Sequence, residues 1–321
     1  MKNKKVLAIV GPTASGKTSL AYNIALYYKS HLNKTAEIIS ADSRQVYKYI
    51  PISTSHPPEE YQKNIKHHFV NELELNEEFN AGDFGIKAGK LIVELIEHDK
   101  IPIIAGGSGL YLRSLIYGLF SFEDAEEEFE EKKDEVRKKL NERFESEGGE
   151  LLYNELLKVD RKTAEKFDET KSRRIIRALE VYYVTGKPLS EWHENKAEVS
   201  FDTFQVGLNW DRKVLYDRIN KRVDIMLEEG LIDEIKKLKE NNYHYKTYNS
   251  LNTVGVKEVF DYLDGKTSVE EMTALIKMNT RRYAKRQMTW FRKDKNIKWI
   301  DVTDEEEIIS LPGKILSREF R

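Results

Sequence analysis

Residues Gly11, Pro12, Thr13, Ala14, Ser15, Gly16, Lys17 and Thr18 read GPTASGKT, a complete G-x-x-x-x-G-K-[ST] pattern. Such a loop turns successive backbone N–H groups toward a pyrophosphate at a helix N-terminus, while the lysine adds a point charge and the hydroxyl a Mg2+ ligand. The pattern marks bound phosphate. It does not say whether that phosphate is transferred, hydrolysed or expelled.

Four further groups carry chemistry. In Asp42-Ser43-Arg44-Gln45-Val46-Tyr47, the aspartate can hold Mg2+ through water, accept a proton from a nucleophile, or cap a helix. Gly106-Gly107-Ser108-Gly109 brings backbone close to a ligand and offers the Ser108 hydroxyl, or is simply a strand-to-helix turn. It stands where many phosphate-loop enzymes carry an acid, and none is present, which argues against NTP hydrolysis. Arg173-Arg174-Ile175-Ile176-Arg177, and Arg218 with Arg222, place cations four apart on one helix face. Like charges so stacked repel unless an anion meets them, although solvated arginines over a buried Ile face would also give the first pattern. The segment from Thr280 to Lys293 interleaves Arg281, Arg282, Lys285 and Arg286 with Tyr283, Trp290 and Phe291. Cations for phosphates and flat rings for unstacked bases make an RNA surface, unless the rings face a core.

These groups need a scaffold. The loop follows the apolar run Val6 to Val10 and precedes a periodic stretch, Ser19 to Tyr28. Strand candidates follow at Ala36 to Ser40 and Ile101 to Ala105, separated by a helical pattern from Gly85 to His98. Strand, helix, strand, helix, strand implies a parallel α/β sheet with right-handed crossovers, whose ligand crevice lies at the strands' carboxyl ends. The loop, Asp42 and Gly106 to Ser108 then share one cavity. From Phe122 the chain turns charge-dense and helix-favouring, with Glu123 to Glu150 read as a solvated helix face. This predicts an all-helical subdomain over 122–199, inserted into a phosphate-loop α/β core formed by 1–121 and 200–321. The core resumes with a strand at Phe204 to Asn209 and ends with one at Ile297 to Ile300. Helices between them are predicted over Arg218 to Glu229, Ile232 to Glu240 and Val269 to Trp290.

Composition narrows the classes. A chain of 321 residues with 40% hydrophobic and 34% charged residues is globular, with apolar runs too short to span a membrane. The first strand begins by Val6, with no basic-apolar-small leader, so a cytoplasmic protein is expected. The absence of cysteine excludes disulfides, Cys-based zinc fingers and thiol catalysis, and the seven histidines show no metal-site spacing. A net charge of −2 argues against wholesale nucleic-acid affinity and leaves local basic patches to do any binding. Nothing demands more than a monomer.

Taken in order, GPTASGKT, DSRQVY, AGGSGLY, SRRIIRALEVYYVTGKPLSE and RRYAKRQMTWFR resemble the bacterial tRNA dimethylallyltransferases over nearly the whole chain. That resemblance implies transfer of the five-carbon group of dimethylallyl diphosphate to N6 of adenosine 37, beside the tRNA anticodon, with release of pyrophosphate. It implies that Gly11 to Thr18 bind the diphosphate, with Lys17 on it and Thr18 on Mg2+. Arg222 and its neighbour Arg218 would stabilise the leaving group, Asp42 would act as base or orienting acceptor, and Ser108 would contact substrate. The grips on the tRNA anticodon stem-loop would be Asp42, Ser43, Arg44, Gln45, Ser108, Arg137 and the segment Arg173, Arg174, Ile175, Ile176, Arg177, with Arg281, Arg282, Lys285 and Arg286 as further RNA contacts.

The chain departs from the family pattern in places. Ser108 replaces a threonine and Val256 a common tyrosine. Ser53-Thr54-Ser55-His56-Pro57 replaces Gly-Thr-Ala-Lys-Pro, so a cation at His56 is no longer assured. The acidic stretch Glu123 to Glu131 is longer than the family's and is expected to face solvent. The Cys/His zinc finger of eukaryotic relatives is not matched. Rival readings are a prenyltransferase acting on free AMP or ATP, a small-molecule phosphate-loop kinase, and a non-catalytic RNA-binding protein. The two arginine-rich stretches and the helical insertion favour a macromolecular acceptor over free nucleotide.

Overall fold

The computed structural model describes residues 5–118, 126–194 and 199–317. The chain forms two compact units, Met1–Ile116 with Val199–Arg321, and Tyr117–Glu198.

The first unit is built on a six-stranded sheet, all of whose pairings are parallel. Its strands are β1 (Lys5–Val10), β2 (Ala36–Ala41), β3 (His67–His68), β4 (Ile101–Gly106), β5 (Asp202–Trp210) and β6 (Ile297–Val302), in the order β3-β2-β4-β1-β5-β6. Val6 to Val10 are all buried. A continuous apolar run is what a parallel strand covered on both faces requires. The central strand β1 pairs Val10 with Gly106 on one side and with Gly207 on the other. Its carboxyl end therefore delivers the phosphate loop between two other strand ends.

Helix α1 (Lys17–Leu32) runs from that loop and buries Leu20, Ala21, Ile24 and Ala25 in the core. Around the sheet lie α2 (Glu59–Asn64), α3 (Ala81–Glu97) and α4 (Gly109–Tyr117). After the insertion come α10 (Arg212–Glu228), α11 (Leu231–Glu240), α12 (Val256–Leu263), α13 (Val269–Phe291) and α14 (Glu305–Leu316). Asp211 caps α10 through Lys213 N at 2.8 Å, and Ser268 with Glu271 forms a capping box on α13.

The predicted strands and helices are present, with longer bounds for α1, α3, α10 and β5. Two-residue β3, α2 and α14 were not foreseen. Strand β3 is held by pairing with Ile38 and Ile39, and by Glu37, which accepts from Lys100 Nζ and meets His68 Nε2, both at 2.6 Å.

The second unit is helical: α5 (Glu126–Glu147), α6 (Gly149–Val159), α7 (Arg161–Ala164), α8 (Ser172–Thr185) and α9 (Leu189–Trp192). In the charge-rich α5, Phe129 and Leu140 are buried, with Val136 and Phe144 packed partly against the same core, a narrow apolar stripe at helical spacing. They meet Leu152, Leu156, Ile175, Leu179 and Trp192. Each buried Leu or Ile contributes roughly 1.5–3 kcal/mol of transfer free energy. Asp160, itself buried, accepts from Thr163 N at 3.0 Å and Ser190 N at 2.9 Å, fastening α7 to α9. The acidic stretch Glu123 to Glu131 falls largely outside the described residues; within it Glu131 is exposed and Phe129 buried.

Candidate active site

In the α/β unit the strand ends, α10 and α13 enclose a cavity of about 460 Å3. It is lined by Thr13, Lys17, Thr18, Asp42, Ser43, Arg44, Gln45, Gly106, Gly107, Arg222, Tyr283 and Arg286, among others. Motifs from opposite ends of the sequence thus line one partly open cavity, of a size that suits a small substrate.

The loop is shaped by its glycines and held from outside. Gly16 has φ +90°, a conformation that favours glycine, and a Cβ there would displace Ile308 Cδ1 of α14, 2.4 Å away. Lys17 Nζ donates to Pro12 O at 2.6 Å. Trp210 Nε1 donates to Ser15 O at 2.9 Å, and Arg218 Nε to Ala14 O at 2.9 Å. Arg218 also pairs with Glu305 at 2.6 Å and lies 4.2 Å from the centre of the Trp210 ring. Its guanidinium braces the outer side of the loop, where carbonyls face it, and it is not part of the cavity wall. In this structure Arg218 therefore supports the phosphate loop from one side.

Arg222 does line the cavity, donating to Ser55 Oγ at 2.8 Å and Thr13 Oγ1 at 3.2 Å. Burial pushes its pKa down, Asp42 partly opposing the shift. Lys17 is lowered to about 7, by burial first and then by the Arg222 charge. Two desolvated cations with no salt bridge among the described residues, offset only in part by the nearby Asp42 charge, favour an anion.

Asp42 follows β2. Its Oδ1 accepts from Arg44 N at 2.9 Å and Gln45 N at 3.4 Å, as a capping residue would, and Oδ2 has no hydrogen-bond partner among the described residues. No helix directly follows Asp42, so its Oδ1 closes a turn between β2 and α2 and caps no helix. Ser108 Oγ accepts from Ser43 N at 2.9 Å, and Ser108 N donates to Ala41 O at 3.1 Å. Ser108 positions the loop around Asp42 and lies outside the cavity lining. Gln45 spends its side chain on the protein: it accepts from Ser40 Oγ at 2.8 Å and donates to Ser55 O at 2.9 Å and Thr54 O at 3.2 Å. The Ser53 turn is further clamped by Glu234, which accepts from Ile52 N at 2.8 Å and Ser53 N at 2.9 Å and whose pKa burial raises. Arg44 Nη1 donates to Asn249 O at 2.6 Å.

On α13, Ile276, Thr280, Tyr283 and Gln287 face inward, whereas Arg282, Lys285 and Arg286 are exposed. Arg281 donates to Asn220 Oδ1 at 2.6 Å. Phe291 is buried and Trp290 is 42% exposed, so the two rings divide between core and surface. Gln287, read only as part of a basic segment, bridges two loops: it accepts from Thr13 N at 2.8 Å and donates to Gly107 O at 2.9 Å. Helical spacing from Ile276 through Tyr283 to Gln287 was the signal that could have found it. His56 is kept neutral, its pKa pushed down to about 4 by burial, and Val256 is buried in the core.

In the helical unit Arg137 and Arg177 both engage the fully buried Glu180, at 2.9 and 2.8 Å. Arg173 and Arg174 are exposed, with Arg174 over the Phe167 ring. Ile175 and Ile176 are 0% and 6% exposed within the core, so their side chains are packing groups and are corrected from the expected RNA-contact set.

A sequence model described as IPP transferase matches residues 45–294. The chain is 46% identical to a tRNA dimethylallyltransferase of Acetivibrio thermocellus, the match covering 95% of this chain and 94% of that one, and 45% identical to one of Salinibacter ruber over 92% and 87%. It is similar in structure to a tRNA isopentenylpyrophosphate transferase of Bacillus halodurans (38% identity, TM-score 0.67, covering 97% of this chain and 95% of that one). It is also similar to a eukaryotic dimethylallyltransferase crystallised acting on tRNA (32% identity, TM-score 0.82, covering 97% and 78%). A phosphate loop with desolvated cations, set on a parallel sheet and matched in sequence over almost its full length, places this chain in the IPP transferase family.

Proposed function

We infer that this protein transfers a dimethylallyl group from dimethylallyl diphosphate to N6 of adenosine 37 in tRNA and releases pyrophosphate. The observation that carries the reading is the pairing, in one cavity, of two charge-starved cations, Lys17 and Arg222, with the carboxylate of Asp42.

The exocyclic adenine amine is a weak nucleophile because its lone pair is delocalised into the ring. As N6 bonds to C1 of the prenyl group, the C1–O bond breaks and its electron pair goes to the diphosphate oxygen. Lys17, Arg222 and the loop amides neutralise that developing charge in a low-dielectric site. The N6 proton passes to Asp42, whose Oδ1 is fixed by two backbone amides. Ile219, Val223, Met226 and Ile276 form an apolar part of the lining suited to a prenyl chain and inhospitable to water. The target base must leave the anticodon-loop stack to enter, and exposed Arg282, Lys285 and Arg286 offer charges to the RNA backbone.

Mg2+ fits these residues. The Thr18 hydroxyl and the Asp42 carboxylate are hard oxygen donors on the same cavity, and so small a protein set matches an ion that keeps waters and diphosphate oxygens as ligands. Thr18 would hold it directly and Asp42 through water; when bound, it supplies further charge neutralisation of the diphosphate. No helix among the described residues is long and apolar enough to cross a membrane.

The test is incubation with Mg2+, prenyl-labelled dimethylallyl diphosphate and either unmodified tRNA or AMP. Label is expected in tRNA. Label in AMP alone would establish the free-nucleotide enzyme, and γ-phosphate transfer in a parallel incubation with ATP, without prenyl transfer, would establish a kinase.

A further inference from the structure

Resting on the prenyl-transfer reading, we propose that Gln287 is a positioning residue that fixes the distance between the leaving-group loop and the base-activating loop. It is 6% exposed and uses both ends of its amide. The carbonyl takes the Thr13 amide hydrogen at 2.8 Å, and the NH2 donates to Gly107 O at 2.9 Å. Only this orientation works, since the flipped amide would set N–H against N–H and C=O against C=O. A Cβ on Gly107 would lie 2.4 Å from Gln287 Nε2 and push that amide out of its place.

Each end reaches one side of the reaction. Through Thr13 the amide holds the phosphate loop, whose Thr13 hydroxyl also meets Arg222 at 3.2 Å. Through Gly107 it holds the turn whose next residue, Ser108, grips Ala41 O and Ser43 N on either side of Asp42. One planar amide thereby sets the separation of the carboxylate that takes a proton from the loop that takes an electron pair. In-line displacement is sensitive to that separation, and a misplacement of 1 Å costs on the order of 100-fold in rate. Substrate affinity depends on each loop by itself and should be nearly indifferent to it.

The experiment compares wild type, Gln287→Met and Gln287→Glu in prenyl transfer to unmodified tRNA, with inorganic pyrophosphate binding measured by calorimetry. Gln287→Met should lower kcat about 100-fold, leaving both KM values and the pyrophosphate Kd within about threefold. Gln287→Glu is the sharper variant. A neutral carboxylic acid can replace both amide bonds, whereas a carboxylate opposes Gly107 O, and burial raises the acid's pKa. Its kcat relative to wild type should therefore climb as pH falls from about 8 to about 5, and that of Gln287→Met should not. If Gln287→Met fails to fold, the Gln287→Glu profile decides alone. Raised KM with intact kcat, or a Gln287→Glu profile parallel to wild type, would overturn the positioning role while leaving the tRNA reaction standing. Wild type that fails to label tRNA would overturn both.

Discussion

Two pairs of cations in this molecule have opposite electrostatic histories. In the helical unit Arg137 and Arg177 share Glu180, a carboxylate with no exposed surface that meets both guanidinium groups within 3 Å. In the α/β unit Lys17 and Arg222 line a cavity and have no salt bridge among the described residues, and burial lowers the pKa of each. The first pair is satisfied by the fold and contributes to it. The second is held at a cost the fold must offset elsewhere, the electrostatic condition on which the proposed diphosphate site rests.

The strongest way to break this contrast is Lys17→Met. Prenyl transfer should fall on the order of 1000-fold in kcat/KM, yet the thermal midpoint of the free protein should stay level or rise, because a desolvated charge has been removed. A variant that is both inactive and clearly less stable would put Lys17 in the satisfied class. Asp42→Ala should reduce kcat by about 100-fold or more with tRNA affinity little changed. Asp42 is the group that raises the pKa of Lys17, so pyrophosphate binding at pH 6 should be unaltered or tighter, and a marked weakening would argue that Asp42 holds the ligand instead of the proton.

The pH dependence sharpens the same point. Lys17 titrates near 7 in the folded protein against 10.5 as the reference value, so between those limits the unfolded chain binds more protons and stability rises with pH. Pyrophosphate favours the charged lysine, so its affinity should fall over that window, by at most about tenfold per unit. Calorimetry across pH 6–10, with Lys17→Met giving flat slopes, checks both signs. The smallest effect is expected from Glu180→Gln. The two arginines are 42% and 38% exposed and can turn to water, so urea unfolding should show a loss of only about 1–2 kcal/mol.

Much of the site could be read along the chain because its signals are local. GPTASGKT between an apolar run and a helical pattern, Asp42 at a strand end, and the glycines after Ala105 are each defined within a dozen residues. Strand β3 could not be read in this way. Two histidines have no pattern, and they form a strand only because Ile38, Ile39 and Glu37 are already in place. Helix α14 was hidden by Pro312, which lies inside it and is buried. Residue type suggested that Arg218 meets diphosphate and that Ile175 and Ile176 belong to an RNA grip. What sequence lacks is the rotation of each helix, which aims Arg218 at Ala14 O, sinks the isoleucines and turns Gln287 inward.

The contact of Ile308 with Gly16 has a consequence for how the protein is made. On the ribosome the phosphate loop emerges well before Arg218, Gln287 and α14, which brace it from more than 200 residues further along the sequence. At roughly 5–20 residues per second, the loop waits for tens of seconds without the neighbours that shape it. The braced shape of the loop is therefore acquired well after the motif that encodes it has been translated.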